Sequence, residues 1–267
     1  MANQFLEEMF GLTGKTAVIT GGGGTLGSKI GIGLAKAGAN IVLWDVRKEA
    51  MDEKVKMIAQ ECKAPERVSA QKVDLMDENS IKEALQETVQ CYGQVDILLN
   101  ACGGNRGKAS YVDTKLEDFE FVLKLNLIAG QFLPTKIFCQ YWIEKKIKGC
   151  IINFASMSSF NPLSGVYAYS AAKAAVVNQT MAAAKEFAPY GIRVNAIAPG
   201  FFLADQNRAL LIDDKTGQPT ERGKQVLAHT PFNRFGEPEE LQGACLLLAS
   251  EKAAGFISGI TLPIDGA

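Results

Sequence analysis

The chain has 267 residues, 47% hydrophobic and 21% charged, the balance of a globular protein and a length that one large domain can fill. A formal net charge of −1 excludes a global basic field for nucleic acid or an anionic membrane, so any anion must be bound locally. No uninterrupted apolar run approaches the roughly 20 residues that span a bilayer, and Met1–Phe10, with Glu7 and Glu8, lacks the basic-then-apolar layout of a leader.

The elements alternate. Lys15–Thr20 is expected as a buried strand, followed by four glycines and a helix to about Gly38. Asn40–Asp45 is a second strand, Lys48 to about Lys63 a charged helix, and Arg67–Asp74 a third strand. Asp77–Tyr92 reads as a helix with Asp77 as its N-cap, and Val95–Asn100 as a fourth strand. A long helix is expected from about Lys115 to Lys146, bent near Pro134, whose ring removes a backbone donor. Gly149–Ala155 is a fifth strand, Tyr167–Phe187 an Ala-rich helix and Gly191–Ala198 a sixth strand. Helical pieces lie within Ala204–Ala228 and Pro238–Ser250, and Gly259–Ile264 is a last strand.

Strands alternating with helices predict βαβ units, hence an α/β fold with a doubly wound parallel sheet of Rossmann type. One domain over residues 1–267 is expected, with an excursion over about 201–235 covering the substrate. In such a sheet the ligand lies beyond the carboxyl ends of the strands. The six cysteines show no regular spacing, and His229 is the only histidine. They are expected to be reduced, mostly buried hydrophobes in a metal-free cytoplasmic protein.

The run Gly21-Gly22-Gly23-Gly24-Thr25-Leu26-Gly27 joins the first strand to the first helix. Glycines let the backbone approach a pyrophosphate, whose charge then meets free amides at a helix N-terminus. Asp45 ends the second strand about 20 residues on, where a carboxylate accepts from ribose hydroxyls and repels a 2′-phosphate. NAD is therefore favoured over NADP. Arg47 is the counter-argument, and is expected to face solvent. Asp74, followed by Leu75, either caps the adenine amine or serves as a turn or N-cap residue.

Tyrosine and lysine four residues apart share one helix face, close enough for the ammonium to act on the phenol. The spacing occurs three times, at Tyr111/Lys115, Tyr141/Lys145 and Tyr169/Lys173, so alone it decides nothing. The first two pairs lie at or on the long helix among charged neighbours. The third starts the Ala-rich helix, after Ala155-Ser156-Met157-Ser158-Ser159 and before Asn195-Ala196-Ile197-Ala198-Pro199-Gly200.

With these motifs in this order, nearly the whole chain resembles the short-chain dehydrogenase/reductase family. The resemblance implies catalysis by Ser156, Tyr169, Lys173 and Asn126. Ser156 stands thirteen residues before Tyr169, an offset at which Tyr111 and Tyr141 have Leu98 and Ile128. Tyr169 would exchange a proton with the substrate oxygen, which Ser156 also bonds. Lys173 would lower the tyrosine pKa and hold the nicotinamide ribose, and Asn126 would position a relay water. Nicotinamide cofactor contacts are implied for Gly21, Gly23, Gly24, Thr25, Leu26, Gly27, Asp45, Asp74, Leu75, Asn100, Ala101, Tyr169, Lys173, Pro199, Gly200 and Phe202. Three positions depart from the family pattern: Thr25 and Ala101 replace a glycine and an asparagine, and Ala204 replaces a threonine.

Substrate choice falls to loops. Gly103–Lys108 supplies Asn105 and Arg106, and the excursion supplies Gln206, Asn207 and Arg208. Amides with guanidinium groups suit a polyhydroxylated carboxylate. The four-glycine loop, Gly103-Gly104-Asn105 after the fourth strand and Phe201–Arg208 together resemble the sugar-acid branch of the family, with Arg106-Gly107 standing where that branch usually carries His-Pro. The resemblance implies an anionic small-molecule substrate such as D-mannonate or D-fructuronate and a homotetramer or dimer through the long helices. Another polyol or keto acid, a 3-oxoacyl group, or a non-catalytic NAD sensor are the competing readings. Thr220–Gly223 and His229 lie in the same excursion, and His229 is either structural or a substrate contact.

Overall fold

Short β-branched runs become strands where a pleated surface is buried. They are Thr16–Thr20 (β1), Asn40–Asp45 (β2), Val68–Lys72 (β3), Ile97–Asn100 (β4), Cys150–Phe154 (β5), Arg193–Pro199 (β6) and Thr261–Ile264 (β7). The computed structural model describes residues 2–205 and 207–267. The strands pair in parallel in one sheet ordered β3-β2-β1-β4-β5-β6-β7. The order reverses between β1 and β4, which sets the switch point there.

Strands β1, β4, β5 and β6 are buried throughout, as a sheet covered on both faces requires. Adjacent residues point to opposite faces, so Ile19, Leu99 and Ile152 enter one core and Val18, Leu98 and Ile151 the other. Helices Thr25–Lys36 (α2), Lys48–Cys62 (α3) and Leu241–Ala249 (α10) cover the first core. Glu78–Tyr92 (α4), Leu133–Lys145 (α6) and Tyr167–Phe187 (α7) cover the second. The Asp77 carboxylate accepts from the Asn79 amide at 2.9 Å, the expected N-cap.

The long helix is irregular before Pro134, not at it. An α-helix over Leu116–Leu123 (α5) widens into a π-helix over Lys124–Phe132, and Pro134 opens the next α-helix. Proline has no amide for the Gly130 carbonyl four residues back, and the wider turn takes up the misfit. Gly130 lets this turn press on the loop after β4: a Cβ there would lie 2.7 Å from the Cys102 carbonyl oxygen.

The nine-residue helix Ala2–Phe10 (α1) was not expected; too short to stand alone, it packs against Glu251–Ala254 (α11), and the Ser250 hydroxyl donates to the Met9 carbonyl at 2.6 Å. The excursion forms Arg208–Leu211 (α8) and Glu221–Ala228 (α9). The cysteines are unpaired but less uniformly buried than expected: Cys139, Cys150 and Cys245 are in the core, Cys62 and Cys102 half-buried and Cys91 exposed. No helix among the described residues is long and apolar enough to cross a membrane.

Trp142 is fully buried, its indole N–H donating to the Val95 carbonyl at 2.8 Å. A Cβ on Gly149 would lie 2.2 Å from that ring. Gly149→Ala is expected to cost about 1–3 kcal/mol by overpacking, read as a lower urea midpoint; an unchanged midpoint would contradict the contact.

Candidate active site

A cleft of about 1020 Å³ lies beyond the carboxyl ends of the strands. Gly21 after β1, Ala101 after β4, Ala155 after β5 and Pro199–Gly200 at the end of β6 all line it, so it spans the switch point.

At one end the glycine loop enters α2. Gly21 has φ +64, and a Cβ there would lie 2.8 Å from Cys102 Cα. A Cβ on Gly22 would lie 2.7 Å from Leu43 Cβ, so the loop packs directly on its neighbours. Gly24 caps α2 with no side-chain hydrogen bond, and Thr25, Leu26 and Gly27 of the first turn line the cleft. First-turn amides have no intrahelical acceptor. These residues therefore fit a pyrophosphate.

Asp45, 7% exposed, accepts from the Gly23 amide at 3.1 Å. Arg47 is largely exposed, as expected, but it curls back and its guanidinium bonds both Asp45 oxygens at 3.1 and 3.0 Å. Burial works to raise the Asp45 pKa, but the hydrogen bonds and charge of Arg47, with the Gly23 amide, hold it below the ordinary carboxylate value.

Thr25 likewise faces a side chain: its hydroxyl donates to Asp205 at 2.9 Å, with Lys54 Nζ 3.6 Å from the same carboxylate. This contact ties the excursion to the glycine loop. Asp74 is a turn residue whose carboxylate accepts from the Met76 amide at 2.9 Å, and Leu75 is buried in the second core. Asn100 can meet a cofactor only through its backbone. Its amide points into the protein, donating to Thr135 at 3.1 Å and Asn153 at 2.8 Å, so only its backbone is at the strand end.

At the other end, Ser156, Tyr169 and Lys173 line one wall. Ser156 follows the end of β5 and caps a short turn, its hydroxyl accepting from the Ser158 amide at 3.1 Å. Tyr169 and Lys173 stand one turn apart at the start of α7, whose alanines admit close packing against β6. Lys173, 4% exposed, donates to the Phe154 carbonyl at 2.7 Å. Burial pushes its pKa down to about 8, with the nearby Cys102 working upward.

Burial raises the Tyr169 pKa above the ordinary phenol value and Ser156 opposes it. The expected lowering by Lys173 is absent, because the ammonium is turned to Phe154 and lies 5.6 Å from the centre of the tyrosine ring.

Asn126 sits in the π-helix beneath this wall. It donates to the carbonyls of Gly104 at 2.7 Å and Val122 at 2.8 Å, and accepts from the Gly104 amide at 3.0 Å. Both its amide hydrogens are committed to backbone carbonyls, which fixes the side chain in place. The other two tyrosine–lysine pairs lie outside the cleft: Tyr111 is exposed and packs on Tyr167, and Tyr141 is half-buried on α6.

The substrate residues are largely corrected. Arg106 lies outside the cleft, 3.4 Å over the Phe121 ring and 3.9 Å from Asp118. Asn105 bonds the Gly107 carbonyl and Arg208 begins α8, both away from the cleft; Gln206 lies outside the described residues. Asn207 and Phe202 do line it, but the Asn207 amide is spent on Ala204 and Phe202 at 2.9 Å each. Lys108 and Arg222 line it instead. Both stand in the loops singled out from sequence; loop spacing carries no signal for which side chain turns inward. His229 fits both readings, closing α9 with its ring Nδ1 2.8 Å from the Gln225 carbonyl while lining the cleft.

The family model for short chain dehydrogenase matches residues 15–215. An uncharacterized oxidoreductase of Haemophilus influenzae is 40% identical over 96% of this chain and 93% of that protein. A crystal structure from Haemophilus influenza described as a candidate D-mannonate oxidoreductase, with bound NAD, superposes with a TM-score of 0.87 at 38% identity over 98% and 97% of the two chains. One from Agrobacterium tumefaciens, described as a candidate 2-deoxy-D-gluconate 3-dehydrogenase with bound NADP, superposes at 0.85 and 34% over 97% of each chain.

Lys173 loses its proton near pH 8 in the folded protein and near its ordinary value of 10.5 when unfolded. Across that window the unfolded chain binds more protons, so the fold gains stability as pH rises. The melting temperature of the wild type is therefore expected to rise relative to Lys173→Met above about pH 8 and to track it between about pH 5 and 7. A constant difference across both ranges would exclude the depressed pKa.

Proposed function

Because the chain belongs to the short-chain dehydrogenase family, we propose that it transfers a hydride between NAD(H) and the secondary alcohol or ketone carbon of a sugar acid, D-mannonate or D-fructuronate foremost. One observation carries the reading: Ser156, Tyr169 and Lys173 open onto the same cleft as the glycine loop. Family membership makes the protein an oxidoreductase acting on CH–OH with a nicotinamide cofactor, which supplies the hydride chemistry when bound.

The chain supplies proton handling and orientation. The raised pKa keeps the Tyr169 phenol protonated at neutral pH, the form that can donate to a substrate oxygen during reduction. Ser156 is assigned a hydrogen bond to that oxygen. Lys173, held by the Phe154 carbonyl, is assigned a ribose hydroxyl. Asn126 is assigned the placing of Gly103 and Gly104 next to Lys173; a Cβ on Gly103 would be 3.3 Å from Nζ and 2.6 Å from Asn126 Oδ1.

The sugar-acid reading is supported by a cleft rich in hydroxyl and amide side chains, among them Ser158, Asn161, Ser164 and Gln225, and by the sugar-acid names of the two superposed structures. NAD is preferred because the ionised Asp45 is fixed beside Gly23. Residues 201–235 are assigned as the substrate cover on the strength of Phe202, Asn207, Arg222 and His229 lining the cleft. A homo-oligomer through the long helices is favoured by the exposed Leu116, Ile128 and Phe132, and by Met181 on α7.

Tyr169→Phe is expected to retain NAD binding by calorimetry and to lose about 10²–10⁴-fold in turnover; near-normal turnover would sink the proton-donor assignment. Asp45→Ala should narrow the ratio of kcat/KM with NAD to that with NADP. An unaltered ratio would remove Asp45 from cofactor choice.

A further inference from the structure

We propose that Lys108 and Arg222 together bind the carboxylate of the substrate; the inference rests on the sugar-acid reading and names the residues that enforce it. Other cationic side chains of these loops and of the wall are engaged elsewhere. Arg106 is stacked on Phe121 beside Asp118. Arg234 is held by both oxygens of Glu240 at 2.7 and 2.6 Å, and Lys224 by Glu221 at 2.7 Å. Lys173 is turned to the Phe154 carbonyl and is assigned to the cofactor ribose. Lys108 and Arg222 line the cleft, and neither forms an ion pair with a described residue. The Asp265 carboxylate also lines the cleft, behind Gly200, and pairs with neither.

Both cations have a seat. The stem of Lys108 crosses Gly165, where a Cβ would lie 2.7 Å from its Cγ and 2.9 Å from its Cε. Gly165 has φ +79, and its carbonyl accepts from the Ala109 amide at 3.3 Å, so the loop after β4 is docked on the residues leading into α7. That docking seats the Lys108 stem on Gly165, four residues before Tyr169 in the segment that forms the wall. Arg222 comes from the excursion. The Glu221–Lys224 pair occupies neighbouring positions of α9, while Arg222 is half-buried with its guanidinium 5.8 Å from the Phe201 ring centre.

A point charge from one element and a planar fork from another suit a carboxylate. Ser158, a residue 2% exposed that lines the cleft, adds a hydroxyl with no hydrogen-bond partner, as a site for a sugar hydroxyl would. The ligand class is a small polyhydroxylated monocarboxylate with its acid group at the Lys108–Arg222 end.

Steady-state kinetics with NAD on mannonate and related aldonic acids, each paired with its neutral amide, test this. Lys108→Met and Arg222→Met should each raise KM for the acid about tenfold or more, with kcat changed less than about threefold. The ratio of kcat/KM for acid to amide falls accordingly, and Lys108→Arg restores most of it. Gly165→Ala should give the same acid-selective loss by displacing the Lys108 stem. No loss in either methionine variant, or an equal loss on acid and amide, overturns the clamp and leaves the sugar-acid reading standing. A wild type that oxidises neutral polyols but no sugar acid overturns that reading, and the clamp with it.

Discussion

The contact between Gly21 and the backbone of Cys102 is the constraint on which the site depends. It brings the loop after β1 against the loop after β4, where strand order reverses. A side chain at Gly21 would wedge the two loops apart, and one at Gly22 would push β2 outward through Leu43. With both absent, α2 begins at the mouth of the cleft with its first-turn amides directed to it. The same loop continues through Gly103 and Gly104, which Asn126 grips from below. One run of close backbone contacts thus links the anion-binding end of the cleft to the lysine at the other.

Burial then sets the chemistry. Lys173 and Tyr169 are both shifted toward their neutral forms because solvent is excluded around them. The pair is held by packing rather than by mutual attraction: the ammonium answers a backbone carbonyl and the phenol faces Ser156. Asp45 shows the opposite outcome, since Arg47 and a backbone amide overcome its burial and keep it charged.

Arg47 and Thr25 show why local pattern misleads about side chains. Arg47 begins a charged helix, a position that reads as solvent-facing, yet an ionised partner two residues earlier draws its guanidinium back. Thr25 stands where a phosphate is expected, and its hydroxyl meets Asp205, 180 residues later in the chain. Asn100 ends a strand at the cleft but turns its amide to Asn153 and Thr135, because a buried amide must find partners.

The sequence by itself determined the alternation of strands and helices, the parallel sheet, the glycine loop, and which of three tyrosine–lysine pairs belongs to the site. These are legible because period, turn chemistry and strand-end position are local properties of the chain. The tertiary structure alone decided which cations line the cleft. Arg106 and Lys108 are two residues apart on one loop, and only the groove over Gly165 and the ring of Phe121 send them to different places. It also decided that Ala2–Phe10 is helical, since packing against a distant element stabilises so short a helix.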